Sequence, residues 1–202
     1  MKKVALCFRG LTDYFLKSYD NINNFIINDL KKEYDVDIFL NTYKTDLEDT
    51  LISLLKPVKI LYNEMRSGSS VHYIVPIQLI ECCDLVKSYE KEKNIEYDYI
   101  IITRFDLTFN NTFSDYNVNF NKVNMECMLV PCYNSGDNFL LFKRNYLEPI
   151  KTSIQDCIND VNHSHQLYRY FEKNNLPTHY IGGETTKRNP VYDVMFRFTR
   201  YI

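Results

Sequence analysis

From Val4 to Thr103 the chain alternates four strand-length apolar runs with three helix-period stripes, and few folds accommodate that order. The runs are Val4–Phe8, Asp37–Leu40, Val58–Tyr62 and Tyr99–Thr103. Between the first two, Phe15, Tyr19, Ile22, Ile26 and Leu30 recur at helical spacing, with Asp20, Asn24 and Lys31 on other faces. A short helical stretch, Leu47–Leu55, is stopped by Pro57, and Val75, Leu79, Cys82, Val86 and Tyr89 mark a long helix. Tyr99–Thr103 is almost wholly apolar, as a strand covered on both faces must be. Strands and helices in strict alternation pack as α/β, with right-handed crossovers and ligands at the carboxyl ends of the strands. The expected fold is therefore a central, mixed, mostly parallel, Rossmann-like sheet flanked by helices on both faces.

After Asp106 the rhythm changes. Cys127–Cys132 and Asn138–Lys143 read as two strands about a turn at Tyr133–Asp137. A helix carrying Leu147, Ile150, Ile154, Ile158 and Val161 follows, then a second around Leu167–Phe171 and a strand near His179–Ile181. Tyr192–Tyr201 alternates apolar and polar residues, as an edge strand or hairpin arm does. The polar stretch Asn110–Asn124 reads as a surface loop. With no repeat or low-complexity linker in 202 residues, one domain is expected, divided into halves 1–109 and 110–202.

Charge narrows the partners. With 24 basic and 26 acidic residues there is no basic excess to hold a nucleic acid. The apolar part of MKKVALCFRG is too short for a signal peptide, and no window has the length of a membrane span. Six cysteines without C-x-x-C spacing read as buried thiols of a reducing compartment, and the sequons at Asn110 and Asn162 as chance matches. A cytoplasmic protein is expected.

The strand ends collect the residues that carry chemistry. Arg9, Gly10 and Thr12 follow the first strand, Asn41, Thr42 and Tyr43 the second, Glu64, Arg66 and Ser67-Gly68-Ser69-Ser70 the third, and Arg104 and Asp106 the fourth. Arginines at three of four ends are costly to hold together unless an anion binds among them. The Ser/Gly turn opens a helix, which also suits phosphate. Plainer readings stand beside these: Arg9 as a surface side chain, the Ser/Gly turn as a helix cap, and Arg104–Asp106 as an ordinary ion pair on one strand face. His163 and His165 have the look of a metal pair but more often serve as a cap and a surface side chain. Ile181–Lys187, with paired glycines, either lets backbone approach a ligand or is a plain loop. No Walker loop, G-x-G-x-x-G or G-x-S-x-G occurs, and no Cys–His nucleophile pair is evident, so hydrolase readings fall away.

Five stretches carry a likeness: ALCFRG, DIFLNTY, YDYIIITRFDLTF, SGDNFLLFKR and SHQLYRYFEKNNLP. Together they resemble nucleotide-diphosphosugar transferases of the glycosyltransferase-A fold, nearest to the capsid-glycosylating domain of chlorella-type large DNA viruses. A strand ending in T-R-x-D-L, as Thr103–Leu107 does, also resembles bacterial polysaccharide transferases. The likeness implies a UDP-sugar donor, a hexose or deoxyhexose transferred, a glycan or glycoprotein acceptor, and a host-cytoplasmic place if the chain is viral. It implies that 1–109 binds the nucleotide sugar and 110–202 the acceptor. Arg9, Gly10, Asn41 and Thr42 would then hold base and ribose, and Arg66 and Arg104 the phosphates. Asp106 stands where the family's Asp-x-Asp motif supplies its last carboxylate, implying a divalent cation, Mn2+ or Mg2+, on the diphosphate.

The sequence departs from that motif, because Arg104 replaces the first Asp. Either Asp106 alone, with phosphates and water, holds the ion, or Arg104 and Arg66 replace it in part. The likeness also places Asp137, in the SGDNF turn, beside the reacting carbon. There it is the general base of an inverting displacement or the flank of an oxocarbenium-like centre in a retaining one; as structure alone it is a turn-forming Asp. The competing expectation is a non-catalytic nucleotide-sugar or glycan-binding module of a glycan-assembly protein. A nucleotidyltransferase would need a glycine-rich loop that CFRGLTDYF lacks.

Overall fold

β1 (Lys2–Arg9) is buried from Val4 to its end, because it runs through the middle of the main sheet. The structure is a computed structural model that describes residues 1–64, 71–126, 128–129, 134–135, 137–160, 164–182, 184–185 and 195–198. The other strands of the main sheet are β2 (Tyr34–Tyr43), β3 (Lys59–Asn63), β4 (Tyr99–Arg104), β6 (Val123–Met125), β9 (Leu140–Lys143) and β10 (Thr178–Tyr180). Short strands β5 (Leu107–Phe109), β7 (Met128–Leu129), β8 (Asn134–Ser135), β11 (Glu184–Thr185) and β12 (Phe196–Phe198) form two small sheets beside it.

The seven-stranded order is β10-β6-β9-β4-β1-β2-β3. Every neighbouring pair is parallel except the two made by β9, so one reversed strand makes the sheet mixed. The expected α/β class and mostly parallel sheet are thus observed, with β9 joining the parallel half β3-β2-β1-β4 to the rest.

Alternation along each strand sends side chains to two cores. Ala5, Cys7, Ile100 and Ile102 pack with Leu79, Cys82 and Val86 of α4 (Val71–Lys93) and Ile150 and Ile154 of α5 (Leu147–Asn159). Phe171 of α6 (Leu167–Lys173) completes that side. Val4, Leu6, Phe8 and Ile101 face Phe15 and Ile22 of α1 (Phe15–Ile22) and Leu51 and Leu55 of α3 (Glu48–Leu55). The first crossover helix continues through a π-turn, Asn23–Ile27, into the single turn α2 (Asn28–Leu30). Helices therefore cover both faces.

Three expectations need correction. Asn110–Asn124 is not one surface loop: it holds a 3-10 turn, Phe113–Asp115, with a capping box at Thr112, and then enters β6 in the main sheet. Asn124 is fully buried because its amide donates to the carbonyls of Asn119 and Lys122, both at 2.9 Å. β2 begins at Tyr34, earlier than its apolar run, because Tyr34 and Asp35 pair with Lys2 and Lys3. The strand anticipated at Asn138 starts at Leu140. Of the expected 127–132 strand, Met128–Leu129 is described and pairs with β8. Within the tail, β12 pairs antiparallel with β5, Arg197 opposite Thr108.

Cys7, Cys82 and Cys83 are free, buried thiols, and Cys157 is buried; Cys127 and Cys132 lie outside the described residues. Among the described residues no helix is long and apolar enough to cross a membrane.

Candidate functional site

Parallel register sets Arg9, the last residue of β1, beside Arg104, the last of β4. β1 then turns at Gly10, whose φ of +100° is a conformation side chains rarely adopt. The Gly10 N–H donates to the Asn41 carbonyl at 3.0 Å, and its carbonyl accepts from Thr42 Oγ1 at 2.8 Å. A Cβ at Gly10 meets nothing within 4 Å, so Gly10→Ala costs backbone strain alone. It should lower stability by about 1–3 kcal/mol in urea unfolding, and an unchanged midpoint would reject the strained turn.

Asn41 and Thr42 are buried and turn inward. The Asn41 amide donates to the Gln78 carbonyl at 3.0 Å and to Glu81 Oε2 at 3.2 Å, tying the end of β2 to α4. Its Oδ1 accepts from Asn63 at the end of β3. Asn41 and Thr42 therefore form the floor of the carboxyl edge. Arg66 and the 67–70 turn lie outside the described residues.

Arg9 is also buried, at 2% exposure, and its guanidinium Nη2 donates to the Asp137 carbonyl. That bond joins residues 128 apart in sequence and brings the SGDNF turn to the strand ends. Arg9 Nε has no hydrogen-bond partner among the described residues. Burial lowers the Arg9 pKa, while Asp137 opposes that fall and the neighbouring Arg104 deepens it.

Arg104 makes a two-pronged contact with Asp106, Nε to Oδ1 at 2.8 Å and Nη2 to Oδ2 at 2.7 Å. Burial works against its charge, but Asp106, with Asp137 and Glu126 beyond, outweighs it and the Arg104 pKa is raised. The Arg104 side chain keeps 24% of its surface exposed against 10% for Asp106, so Arg104 is the more reachable of the two.

Glu126, just past β6, is the residue that sequence reasoning missed. Its buried carboxylate accepts from the Asn138 N–H at 2.9 Å, the Phe139 N–H at 2.8 Å and the Asn138 side-chain amide at 2.7 Å. Burial, then the charge of Asp137, push its pKa up to about 8, against the pull of those three donors. The signal was present: an acid inside Met125-Glu126-Cys127, among apolar neighbours, is costly unless partnered. The glycine-bearing stretch starts alongside it, with Gly182 N–H on the Glu126 carbonyl at 2.6 Å. His165 stands with Nδ1 4.0 Å from Asp137 Oδ2 and is half exposed; His163 lies outside the described residues.

Two arginines and three carboxylates therefore converge at the carboxyl edge of β1 and β4. Two clefts lie away from this edge, toward the amino ends of the strands: about 240 Å³ lined by Tyr34, Phe113 and Phe120, and about 190 Å³ lined by Val36, Leu55 and Val58. The donor set fits a divalent cation poorly as it stands. Asp106 gives both oxygens to a guanidinium, and Glu126 gives both to N–H groups. The arrangement suits an anion at Arg104 and proton transfer at Asp137.

No protein-family model matches the chain, and no curated protein matches it.

Proposed function

We propose that this chain is a glycosyltransferase of the glycosyltransferase-A type. It moves a hexose or deoxyhexose from a UDP-sugar to a glycan or glycoprotein, in glycosylation of a viral capsid or a surface polysaccharide. The observation that carries the reading is the convergence of Arg9, Arg104, Asp106 and Asp137 at one sheet edge. A four-stranded parallel half ending at Asp106, followed by a mixed half through β9, agrees with it.

In an inverting displacement the acceptor oxygen attacks the anomeric carbon and forms the new C–O bond. The old C–O bond to the diphosphate breaks, and its electron pair leaves with UDP. The Asp137 carboxylate takes the acceptor proton. Arg104 is the cation this site itself offers to the charge growing on the diphosphate. Asp106 orients that guanidinium through its two-pronged contact.

Calorimetric titration with UDP and UDP-glucose, with and without Mn2+, tests the donor site. Micromolar-range binding is expected. Arg104→Ala should weaken UDP by roughly tenfold to a hundredfold, the loss of a charge-assisted hydrogen bond. Asp106→Ala should also weaken UDP, because Arg104 loses the carboxylate that orients it. Unchanged affinity in both variants would reject the site assignment.

The closed Arg104–Asp106 contact favours a second reading, a non-catalytic nucleotide-sugar or glycan-binding module. Slow release of UDP from UDP-glucose without acceptor supports the transferase. Binding without any turnover supports the module.

A further inference from the structure

We infer that Glu126 is a positioning residue for Asp137: it clamps the Asp137–Phe139 turn and sets the charge against which Asp137 takes a proton. The inference rests on Asp137 as the base of the proposed transfer.

The turn is held from two sides, neither through the Asp137 side chain's own carbon chain. Arg9, from β1, donates to the carbonyl of Asp137. Glu126, from the end of β6, accepts the next two main-chain N–H groups and the Asn138 amide. Phe139 then enters the core with no exposure, so residues 137–139 are pinned at their main chain in succession. A base must keep its place to within a fraction of an ångström, and this clamp fixes the main chain on which the reacting carboxylate stands.

Charge is the second part. Asp137 and Glu126 are like charges in a buried place, and each disfavours ionisation of the other. Among the described residues, the charged groups facing the pair are Arg9 from β1, Arg104 with Asp106 from the end of β4, and His165 from the turn before α6. Burial, and then the charge of Asp137, raise the Glu126 pKa to about 8, so Glu126 changes charge beside Asp137 near neutral pH. A purely structural acid would perturb the Asp137 titration too, so the pH profile of kcat in Glu126→Gln is the readout that a structural role would not move.

Glutamine separates the two roles. In Glu126→Gln the side-chain oxygen takes the two main-chain N–H groups, and its NH2 meets the Asn138 side chain, whose amide turns over to accept. Geometry survives and charge is lost. In Glu126→Ala both are lost.

The experiment is NMR on the full chain with carboxyl-labelled Asp and Glu, joined to steady-state kinetics with UDP-glucose. In the wild type the Asp137 carboxyl signal should show a second inflection as Glu126 ionises. Glu126→Gln should erase that inflection and keep the slow hydrogen exchange of the Asn138 and Phe139 amides. Glu126→Ala should lose that slow exchange and lower kcat about 10²-fold with KM for UDP-glucose nearly unchanged. Glu126→Gln should recover most of that loss and shift the pH profile of kcat. An Asp137 titration or a kcat pH profile identical in wild type and Glu126→Gln, or amides still protected in Glu126→Ala, would overturn the inference; if Ala fails to fold, the Gln titration and its kcat pH profile decide. If the NMR results hold but no variant, wild type included, turns over UDP-glucose, the transferase reading fails and the clamp stands.

Discussion

In a transfer assay with a UDP-sugar, Asp137→Ala is expected to lower kcat by about 10²–10⁴-fold while leaving donor affinity nearly intact. The asymmetry follows from the role. A general base acts on the acceptor proton as the new bond forms, so its interaction exists in the transition state and not in the donor complex. The main-chain clamp on the turn does not use the Asp137 side chain. Arg9 holds the Asp137 carbonyl and Glu126 holds the amides of Asn138 and Phe139, and truncating the Asp137 side chain leaves all of these bonds in place. Calorimetry with UDP and steady-state rates on the same preparation check it. Equal loss of donor affinity and turnover would argue that Asp137 shapes the donor pocket and does not serve as the base.

The largest expected effect on stability lies one strand further on. Phe142→Ala, in β9, should cost about 3–5 kcal/mol, read as a lower urea midpoint with an unchanged slope. Phe142 has no exposed surface, stands opposite Ile100 of β4, and packs in the core shared with α4 and α5. Removing the ring leaves a cavity between sheet and helices that a close-packed interior refills only in part. Against a typical total of about 5–15 kcal/mol, the loss is a large fraction. β9 is also the reversed strand that carries the chain away from the Asp137–Phe139 turn, so the amides of that turn should exchange faster in this variant. A loss under about 1 kcal/mol would mean that Phe142 does not sit in a packed core.

The first half of the fold was legible because its signals are local. Strand-length apolar runs and helix-period stripes over 4–103 are properties of neighbouring residues, and they place β1 to β4 and their crossovers within a few positions. The Arg104–Asp106 pair was also legible, since both residues lie within one short segment and contact each other directly. β6 was not, because a three-residue strand around a buried Asn looks polar; only the Asn119 and Lys122 carbonyls make Asn124 acceptable in the sheet. The direction of Arg9 was not legible either. Its position at a strand end suggested a side chain facing a ligand, but its partner is a carbonyl 128 residues away.

The sequence by itself determined the α/β class, the strand ends where charged residues gather, and the absence of a basic surplus. Tertiary structure alone decided which of those residues meet. It turned Asn41 and Thr42 into floor, left the Arg104 side chain partly exposed, and brought Glu126 and Asp137 to the same edge. The physical reason is that periodicity reports which face of an element is buried, whereas a buried charge is tolerated only by partners that the fold brings from elsewhere in the chain.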